Sequence, residues 1–465
     1  MKLALLLLLG LPGCQCSSEC PVSDRPVDLR VDRAPTDAGP EFLPTVRCVD
    51  TGKLRTVDVA PSLPVTPAIK WTRSIDASGE LTSAIIGLDG EIVVANPKAG
   101  VLAADSDGTP LWSIGWPGDA WLYGYDDPTT LASRIVFSSN DEVVVLVWPK
   151  GGAGNIKSIK GPLADDQMTK PVRLGPDRFL VGASDGQLYD MEVGVAGSRQ
   201  IHIGGGKPLD IVADGQGSVY VISSGAANEI VAVDLASGSV RWRRRLGGAK
   251  SQILTLALDG QEGLAVGVIP DWTQYVTDIV MLDRACGAAR WRHSTQGMLR
   301  PPILVDADGD VVYGLTLNRK APDAIERLGP GGVLRWRTEI ELDKQLELGT
   351  IGVIGADGAL QTSLNYAGTG DWPPGQEPRL RAYSPSGRIL WELLMPRTIL
   401  SITRAPLLLD DGSLIIGVKH HPETSLVAEL RLVAIQTPSP GLAHAPWPRR
   451  WHDNLNSSNL AGPTP

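Results

Sequence analysis

The sequence is poor in phenylalanine, cysteine and positive charge. Only three of its 465 residues are Phe and five are Cys, and 43 Lys and Arg face 52 Asp and Glu, giving a formal net charge of −9. A nucleic acid requires a basic face that neutralises its phosphates, so this balance excludes nucleic acid as the main partner. The chain also lacks Gly-x-Ser-x-Gly, His-Glu-x-x-His and P-loop motifs. No nucleophile–base pair can be chosen, and no catalytic residue is predicted.

Apolar runs long enough to cross a bilayer as helices are absent beyond residue 60. Residues 1–13 form a short apolar run behind Lys2, which is typical of an export signal. Leu11-Pro12-Gly13-Cys14 resembles the lipobox of bacterial lipoproteins, in which the chain is cut before an acylated cysteine. The resemblance implies lipidation of Cys14. Because Gln15 follows Cys14, it also implies a location at the outer membrane of a Gram-negative bacterium, on either side of that membrane. Plain secretion is the alternative.

Residues 14–60 are predicted to form a flexible tether, because their first 30 are rich in Pro, Asp and Ser. With Cys14 lipidated, four cysteines remain: Cys16, Cys20, Cys48 and Cys286. They allow three pairings in an exported chain, and a Cys20–Cys48 link within the tether is favoured.

A repeat with a period near 45 residues runs through the rest of the chain. Glycine follows an apolar run, and a large apolar residue stands four positions later, as in Gly238–Trp242 and Gly287–Trp291. Seven positions fit this pattern, and Trp71 fits the same spacing although Pro67 replaces its glycine. Tryptophan occupies six of these eight positions: Trp71, Trp112, Trp242, Trp291, Trp336 and Trp391. We interpret these residues as a repeated packing joint between neighbouring units, with the glycine in a left-handed turn.

Each period contains four short β-branched segments separated by turns, several of them Asp-Gly. Four-stranded units of this length are β-propeller blades. The sequence therefore predicts an all-β fold of eight four-stranded antiparallel blades over residues 61–440, with seven blades as the alternative. The last blade lacks its own fourth strand, so the isolated segment at residues 68–75 is expected to close the ring. Residues 441–465 are expected to dock on the propeller.

The motif Ala232-x-Asp234-x-x-Ser237-Gly238-x-x-x-Trp242 resembles the repeat of the pyrroloquinoline-quinone-like β-propellers. That superfamily includes quinoprotein dehydrogenases and non-catalytic relatives, among them a lipoprotein of the outer-membrane β-barrel assembly machinery. The dehydrogenases carry an adjacent-cysteine disulfide beside the cofactor, and no Cys-Cys pair occurs here. The resemblance implies the fold, while pyrroloquinoline quinone (PQQ) and Ca²⁺ are not expected.

Long loops are predicted on one face of the propeller, which we call the top. The connections between second and third strands and the links from one blade to the next lie on this face. They gather aromatic candidates for binding a partner, together with one histidine: Trp116, Trp272, Tyr275, Tyr366, Trp372 and His420. Asp306, Asp308 and Asp310 mimic the start of a calcium loop but stand where other blades have a hairpin turn, so no metal is predicted. The basic stretch from Arg241 to Lys250 is interpreted as a solvated edge strand, with lipid phosphate or an acidic partner as the alternative.

These observations predict a non-enzymatic, monomeric, lipid-anchored scaffold of the cell envelope. Its expected partner is an envelope protein, and the β-barrel assembly machinery is the most concrete candidate. A carbohydrate- or surface-binding module is the alternative, and a quinone-dependent dehydrogenase is a third hypothesis.

Overall fold

The structure is a computed structural model that describes residues 66–75, 83–87, 90–96, 100–114, 121–127, 132–138, 142–149, 155–160, 169, 171–175, 178–192, 195, 197–225, 228–317, 322–340, 346–366, 377–402, 406–421, 429–446 and 448–449. The predicted signal peptide and the whole of the predicted tether lie outside these residues. Every regular element described is a β-strand, and no helix capable of crossing a membrane occurs among them.

Seven antiparallel four-stranded sheets, each built from consecutive strands, form the blades. The first strand of the chain, β1 (Ala68–Ile75), belongs to another sheet. Blades 1 to 3 contain β2 (Ser83–Ile86), β3 (Ile92–Asn96), β4 (Gly100–Ala104), β5 (Pro110–Ile114); β6 (Trp121–Asp127), β7 (Ala132–Ser138), β8 (Glu142–Pro149), β9 (Asn155–Lys160); and β10 (Val172–Arg173), β11 (Arg178–Gly182), β12 (Gln187–Glu192), β13 (Ser198–His202).

Blades 4 and 5 contain β14 (Pro208–Ala213), β15 (Ser218–Ser223), β16 (Glu229–Asp234), β17 (Ser239–Arg245); and β18 (Gln252–Leu258), β19 (Gly263–Ile269), β20 (Val276–Asp283), β21 (Ala289–Gln296). Blades 6 and 7 contain β22 (Met298–Val305), β23 (Val311–Thr316), β24 (Ala324–Leu328), β25 (Leu334–Glu339); and β26 (Leu346–Ile354), β27 (Leu360–Tyr366), β28 (Arg379–Tyr383), β29 (Ile389–Leu394).

The two ends of the described chain share one further sheet, the closing sheet. It consists of β30 (Ile399–Ile402), β31 (Leu407–Leu408), β32 (Ser413–His420), β33 (Glu429–Gln436) and β1. Strand β1 pairs antiparallel with β33 from Ala68↔Gln436 to Ile75↔Leu430. The Lys70 ammonium also donates to Asp411 Oδ2 at 3.0 Å and to Ser413 Oγ at 2.8 Å. The first and last strands of the described chain are thereby joined in one sheet.

The prediction of eight four-stranded blades is corrected by this sheet. Seven blades have four strands, as the alternative prediction states, and the remaining sheet has five. The reason is an interrupted first strand, because β30 and β31 pair with β32 separately. Strand β1 then adds a fifth strand at the outer edge.

The core lies between blades. The first strand of a blade contacts the first or second strand of the neighbouring blade. Such contacts join blade 1 to blade 2, and they join each blade from 3 to 7 to the next. They also join blade 7 to the closing sheet and the closing sheet to blade 1. The cluster between blades 4, 5 and 6 includes Ile222, Leu264 and Leu315, all essentially inaccessible. No blade could cover both apolar faces alone, so stacking supplies the stability.

A repeated tryptophan joint connects successive sheets at the turns between third and fourth strands. Trp242 of blade 4 packs on Gly287 of blade 5, and its indole N–H donates to Arg284 O at 2.9 Å. The same arrangement joins Trp71 to Gly108, Trp291 to Gly332 and Trp336 to Gly387. Trp112 is half-buried, and Trp391 packs on the core of the closing sheet, which has no third-to-fourth turn.

Blade 3 makes the joint with a different side chain. Ile201 stands at the position that tryptophan occupies in other blades, and its side chain has no hydrogen-bond donor. Arg199, two residues earlier, donates instead to Leu235 O at 2.7 Å and Ala236 O at 3.0 Å in the next turn. Its guanidinium lies against Gly238, whose φ is 73°. Side chains two apart on a strand share a face, so Arg199 occupies the place of the indole donor.

Residues 437–446 and 448–449 follow the last strand and contact blade 7 at the end where its first and second strands are joined. Ile354 N donates to Pro448 O at 2.8 Å, Val353 pairs with Arg449, and Ser439 Oγ donates to Asp357 Oδ1 at 3.2 Å. These contacts hold the described part of the tail against blade 7. Residues 450–465 lie outside the described part of the chain.

Candidate functional site

Two adjoining concavities open on the top of blades 3 to 5, and we call them together the top groove. The larger, about 410 Å³, lies between blades 4 and 5, and the smaller, about 220 Å³, lies between blades 3 and 4. Gly225 lines both. The larger is lined by Gly225, Asn228, Ala249, Lys250, Ser251, Gln252, Asp271, Trp272 and Thr273; the smaller by Gly204, Gly205, Gly206, Ser223, Gly225, Glu229 and Arg245.

Lys250 reaches the groove from a tight turn in the link between β17 and β18. Ser251 N and Ser251 Oγ both donate to Gly248 O, at 3.0 Å and 2.7 Å. Gly247 has a φ of 118°, which favours glycine because it lacks a Cβ. The turn leaves Lys250 exposed at its tip, so its ammonium faces solvent beside the larger concavity.

Trp272 lines the same concavity, from the loop between β19 and β20. The Asp271 carboxylate accepts hydrogen bonds from Thr273 N at 2.9 Å and Thr273 Oγ1 at 2.8 Å, which fixes the turn. These bonds lower the pKa of Asp271, and the nearby Lys250 charge adds to the effect. Trp272 follows Asp271 directly and remains 40% exposed. A large indole held by a defined turn and open to solvent is a typical binding anchor.

Tyr275 closes the same loop in an unusual backbone conformation. Its φ is 50°, the left-handed region that a tyrosine rarely adopts. The Tyr275 carbonyl accepts from Gly297 N at 2.7 Å, which ties the loop to the link between blades 5 and 6. The phenol side chain is 43% exposed. Strained, exposed residues of this kind cluster at functional sites.

At the smaller concavity, the backbone of Gly206 packs directly on the backbone of Ser224. A Cβ at Gly206 would lie 1.1 Å from Ser224 O, so only glycine fits there. Ser223 Oγ donates to Gly206 O at 2.9 Å, and Ser224 N donates to Lys207 O at 2.8 Å. The two segments that meet at this concavity are therefore fixed relative to one another.

Charges on the groove wall are unevenly compensated. Glu229 accepts a hydrogen bond from Arg243 at 2.7 Å, whereas Arg245 lies 3.7 Å from the same carboxylate and is 63% exposed. No hydrogen bond or ion pair joins the Lys250 ammonium to a carboxylate in the part of the chain that the structure describes. Arg245 and Lys250 are therefore the two exposed cations of the groove.

The predicted binding residues are only partly brought together. Trp272 lines the groove and Tyr275 belongs to its loop. Cys14, Trp116 and Trp372 lie outside the described residues, and Tyr366 ends β27 with a side chain that is also outside them.

His420 requires a correction. The sequence places it in a loop, but it is the last residue of β32 and is buried. Burial lowers the pKa of His420, and the Arg431 charge acts in the same direction. A side chain so covered is not available as a surface anchor.

The acidic stretch at Asp306 forms an ion-pair cluster. Asp306 Oδ1 accepts from Asp308 N and Asp310 N, which caps the hairpin. Arg327 pairs with both Asp306 and Asp310, and burial raises the pKa of Asp306 despite this pairing. No cluster of three or more His, Cys, Asp or Glu suited to a metal occurs among the described residues. The same cap recurs at Asp214 and Asp259.

The arginines of β17 are mostly engaged within their own blade. Arg241 donates to Ser218 Oγ at 2.8 Å and Arg243 to Glu229. Blades 5 and 6 repeat the pattern, since Arg292 pairs with Asp278 and Arg337 with Glu326. These pairs are part of blade structure, and Arg245 is the arginine of β17 that lines the groove.

Cys286 stands in the turn of blade 5 that receives Trp242. It is disulfide-bonded, and the other four cysteines of the chain, at positions 14, 16, 20 and 48, all lie outside the described residues. The predicted Cys20–Cys48 link lies outside the described residues.

Sequence reasoning missed the polar half of the groove. Glycines 204–206 and Asn228 come from two separate connections, and Gln252 begins β18; only the glycine triplet is a local signal in the sequence. Their proximity depends on how consecutive blades stack.

Comparisons with known proteins show the fold. No protein-family model matches the chain, and no curated protein is similar to it in sequence. Among solved structures, the crystal structure of BamB from Moraxella catarrhalis is similar, with 14% identity and a TM-score of 0.51 over 80% of this chain and 98% of that one. The computationally designed Ika8 protein is similar at 13% identity and a TM-score of 0.49, over 77% and 98% of the two chains. The likeness to BamB shows that this chain has a β-propeller fold.

Proposed function

We propose that the chain is a non-enzymatic, lipid-anchored β-propeller of the bacterial envelope that binds a protein partner through the top groove. The protein works as a monomer in this proposal. Lipidation of Cys14 holds it to the outer membrane.

The observation that carries the proposal is the exposed indole of Trp272 beside a concavity of about 410 Å³. Exposed aromatics on a rigid loop contribute most of the binding free energy in many protein interfaces. The Asp271–Thr273 turn and the Gly206–Ser224 contact hold the walls in place. A preorganised surface loses little conformational entropy on binding.

A cofactor-free scaffold is the form that these residues support best. The carboxylates of Asp306 and Asp310 are occupied by Arg327. We propose no quinone and no Ca²⁺. The resemblance to the pyrroloquinoline-quinone-like repeat and the fold likeness to BamB agree with an assembly role, and the β-barrel assembly machinery is the most concrete partner.

Co-purification tests the proposal. The full lipoprotein is extracted from its own membranes in gentle detergent, and bound proteins are identified by mass spectrometry. We expect an envelope protein whose recovery falls at least several-fold in Trp272→Ala. Equal recovery with Trp272→Ala and wild type would contradict a role for the groove.

Glycan binding is the second candidate, and the same indole favours it. Trp272 could stack on a sugar ring, while the amides of Asn228 and Gln252 line the same concavity. Binding of envelope polysaccharide that is lost in Trp272→Ala and kept in Trp272→Phe would support this alternative.

A further inference from the structure

We infer that the segment bound in the top groove is an extended acidic stretch that carries one large apolar side chain. The inference rests on the proposed function and specifies the chemistry of its partner. It follows from the charges, the shape and the rigidity of the groove.

The exposed charges favour an acidic ligand. Arg245 and Lys250 project from one link of the chain, at residues 245–250. Two carboxylates line the same concavities and are less exposed than the cations. Glu229 accepts from Arg243 and lies 3.7 Å from Arg245, and Asp271 accepts from Thr273 near the Lys250 charge. Neither carboxylate accepts a hydrogen bond from Arg245 or Lys250, so a carboxylate of a partner would add one that the described residues do not provide.

The local charge also contrasts with that of the whole chain. A formal net charge of −9 repels an acidic segment from the rest of the surface, whereas the wall formed by Arg245 and Lys250 attracts it. Such an arrangement steers association toward one site and fixes orientation.

The shape of the groove favours an extended segment. The two concavities adjoin at Gly225 and together run from the link after blade 3 to the loop of blade 5 that carries Trp272. The larger contains the only aromatic side chain lining either one, Trp272, so the apolar residue of the ligand belongs there. Arg245 lines the smaller, and Lys250 lines the larger beside Trp272.

Fluorescence anisotropy with labelled peptides on the full chain in detergent tests the inference. The probe is a twelve-residue peptide of Asp and Glu around one central Phe. Matched peptides replace Asp and Glu by Asn and Gln, or Phe by Ala. We expect each replacement to weaken binding by about tenfold or more, and the affinity for the acidic peptide to fall as salt rises.

Charge reversal locates the site. We expect Lys250→Glu and Arg245→Glu each to weaken binding of the acidic peptide by about tenfold. Arg388→Glu is the matched control, because Arg388 is exposed in the turn before β29, on the opposite face. Equal binding of the acidic and amide peptides, or equal effects of Lys250→Glu and Arg388→Glu, would overturn the inference.

The two proposals fail separately. If Trp272→Ala abolishes capture of the membrane partner while Lys250→Glu and Arg245→Glu do not change it, the scaffold function stands and the acidic ligand is wrong. Binding of phosphatidylglycerol vesicles that depends on Lys250, without binding of the acidic peptide, also overturns the acidic segment.

Discussion

Trp242 lies directly on Gly287 of the following blade. A Cβ built on Gly287 would approach the indole ring to 2.7 Å, and the glycine also has a φ of 70°. The glycine therefore serves two purposes, since it permits the left-handed turn and leaves room for the indole. Both residues of the repeat are explained by one contact between blades.

Substitution of this glycine should cost more than backbone strain. We expect Gly287→Ala to lower the free energy of unfolding by about 1–2 kcal/mol through the left-handed conformation and by about 1–3 kcal/mol more through the clash with Trp242. Urea unfolding followed by far-ultraviolet circular dichroism measures the sum of these two losses.

Gly90→Ala is the control for that experiment. Gly90 has a φ of 79°, but a Cβ there would meet nothing within 4 Å. Only the strain of about 1–2 kcal/mol is expected. Equal losses in Gly90→Ala and Gly287→Ala would show that the tryptophan contact adds nothing.

The arginine joint of blade 3 makes a second prediction. Arg199→Ala removes two hydrogen bonds to the carbonyls of the next turn, and we expect the free energy of unfolding to fall by about 1–3 kcal/mol. Adding Ile201→Trp should recover part of this loss by restoring an indole donor. Arg388→Ala, in an exposed turn, should change stability by less than about 0.5 kcal/mol. A double variant no more stable than Arg199→Ala would refute the equivalence of the two joints.

His420 gives the fold an acid sensitivity. Burial and the Arg431 charge lower its pKa from the ordinary value of 6.5. The unfolded chain therefore binds a proton before the folded one does, and stability present above pH 6.5 is lost as the pH falls through the folded pKa. Unfolding free energies from pH 7.5 to pH 5 should decline less steeply in His420→Gln than in wild type. Parallel declines would exclude His420 as the source.

The Cys286 disulfide predicts a covalent link between the blades and the N-terminal segment. Because the other cysteines all lie between residues 14 and 48, a non-reducing digest should join the peptide containing Cys286 to one from that segment. Mass spectrometry before and after reduction identifies the pair. Complete alkylation of Cys286 without prior reduction would contradict the link.

The repeat predicted the blades because its signals are local. Asp-Gly turns and the Gly–Trp spacing at positions 238–242 depend on neighbours in the chain, and they locate strands and joints. The closing strand at residues 68–75 could also be predicted, because it was a fourth strand without a blade. The Asp306–Arg327 cluster could not, since its partners are 21 residues apart and meet only across the sheet.

The groove was predictable only in part, for the same physical reason. Trp272 was recognised as a loop aromatic, whereas the shared concavities depend on how blades 3 to 5 stack. The prediction of a loop at His420 is wrong because β32 continues past Val418, its last apolar residue, through the polar residues Lys419 and His420.

Site-specific photocrosslinking in native membranes tests the central claim most directly. A photoreactive phenylalanine replaces Trp272, and the matched control replaces Val333, which is 72% exposed in the turn before β25 on the opposite face. The proposed scaffold predicts a crosslinked envelope protein from position 272 and none from position 333. A partner captured from position 333 and not from position 272 would contradict binding through the top groove.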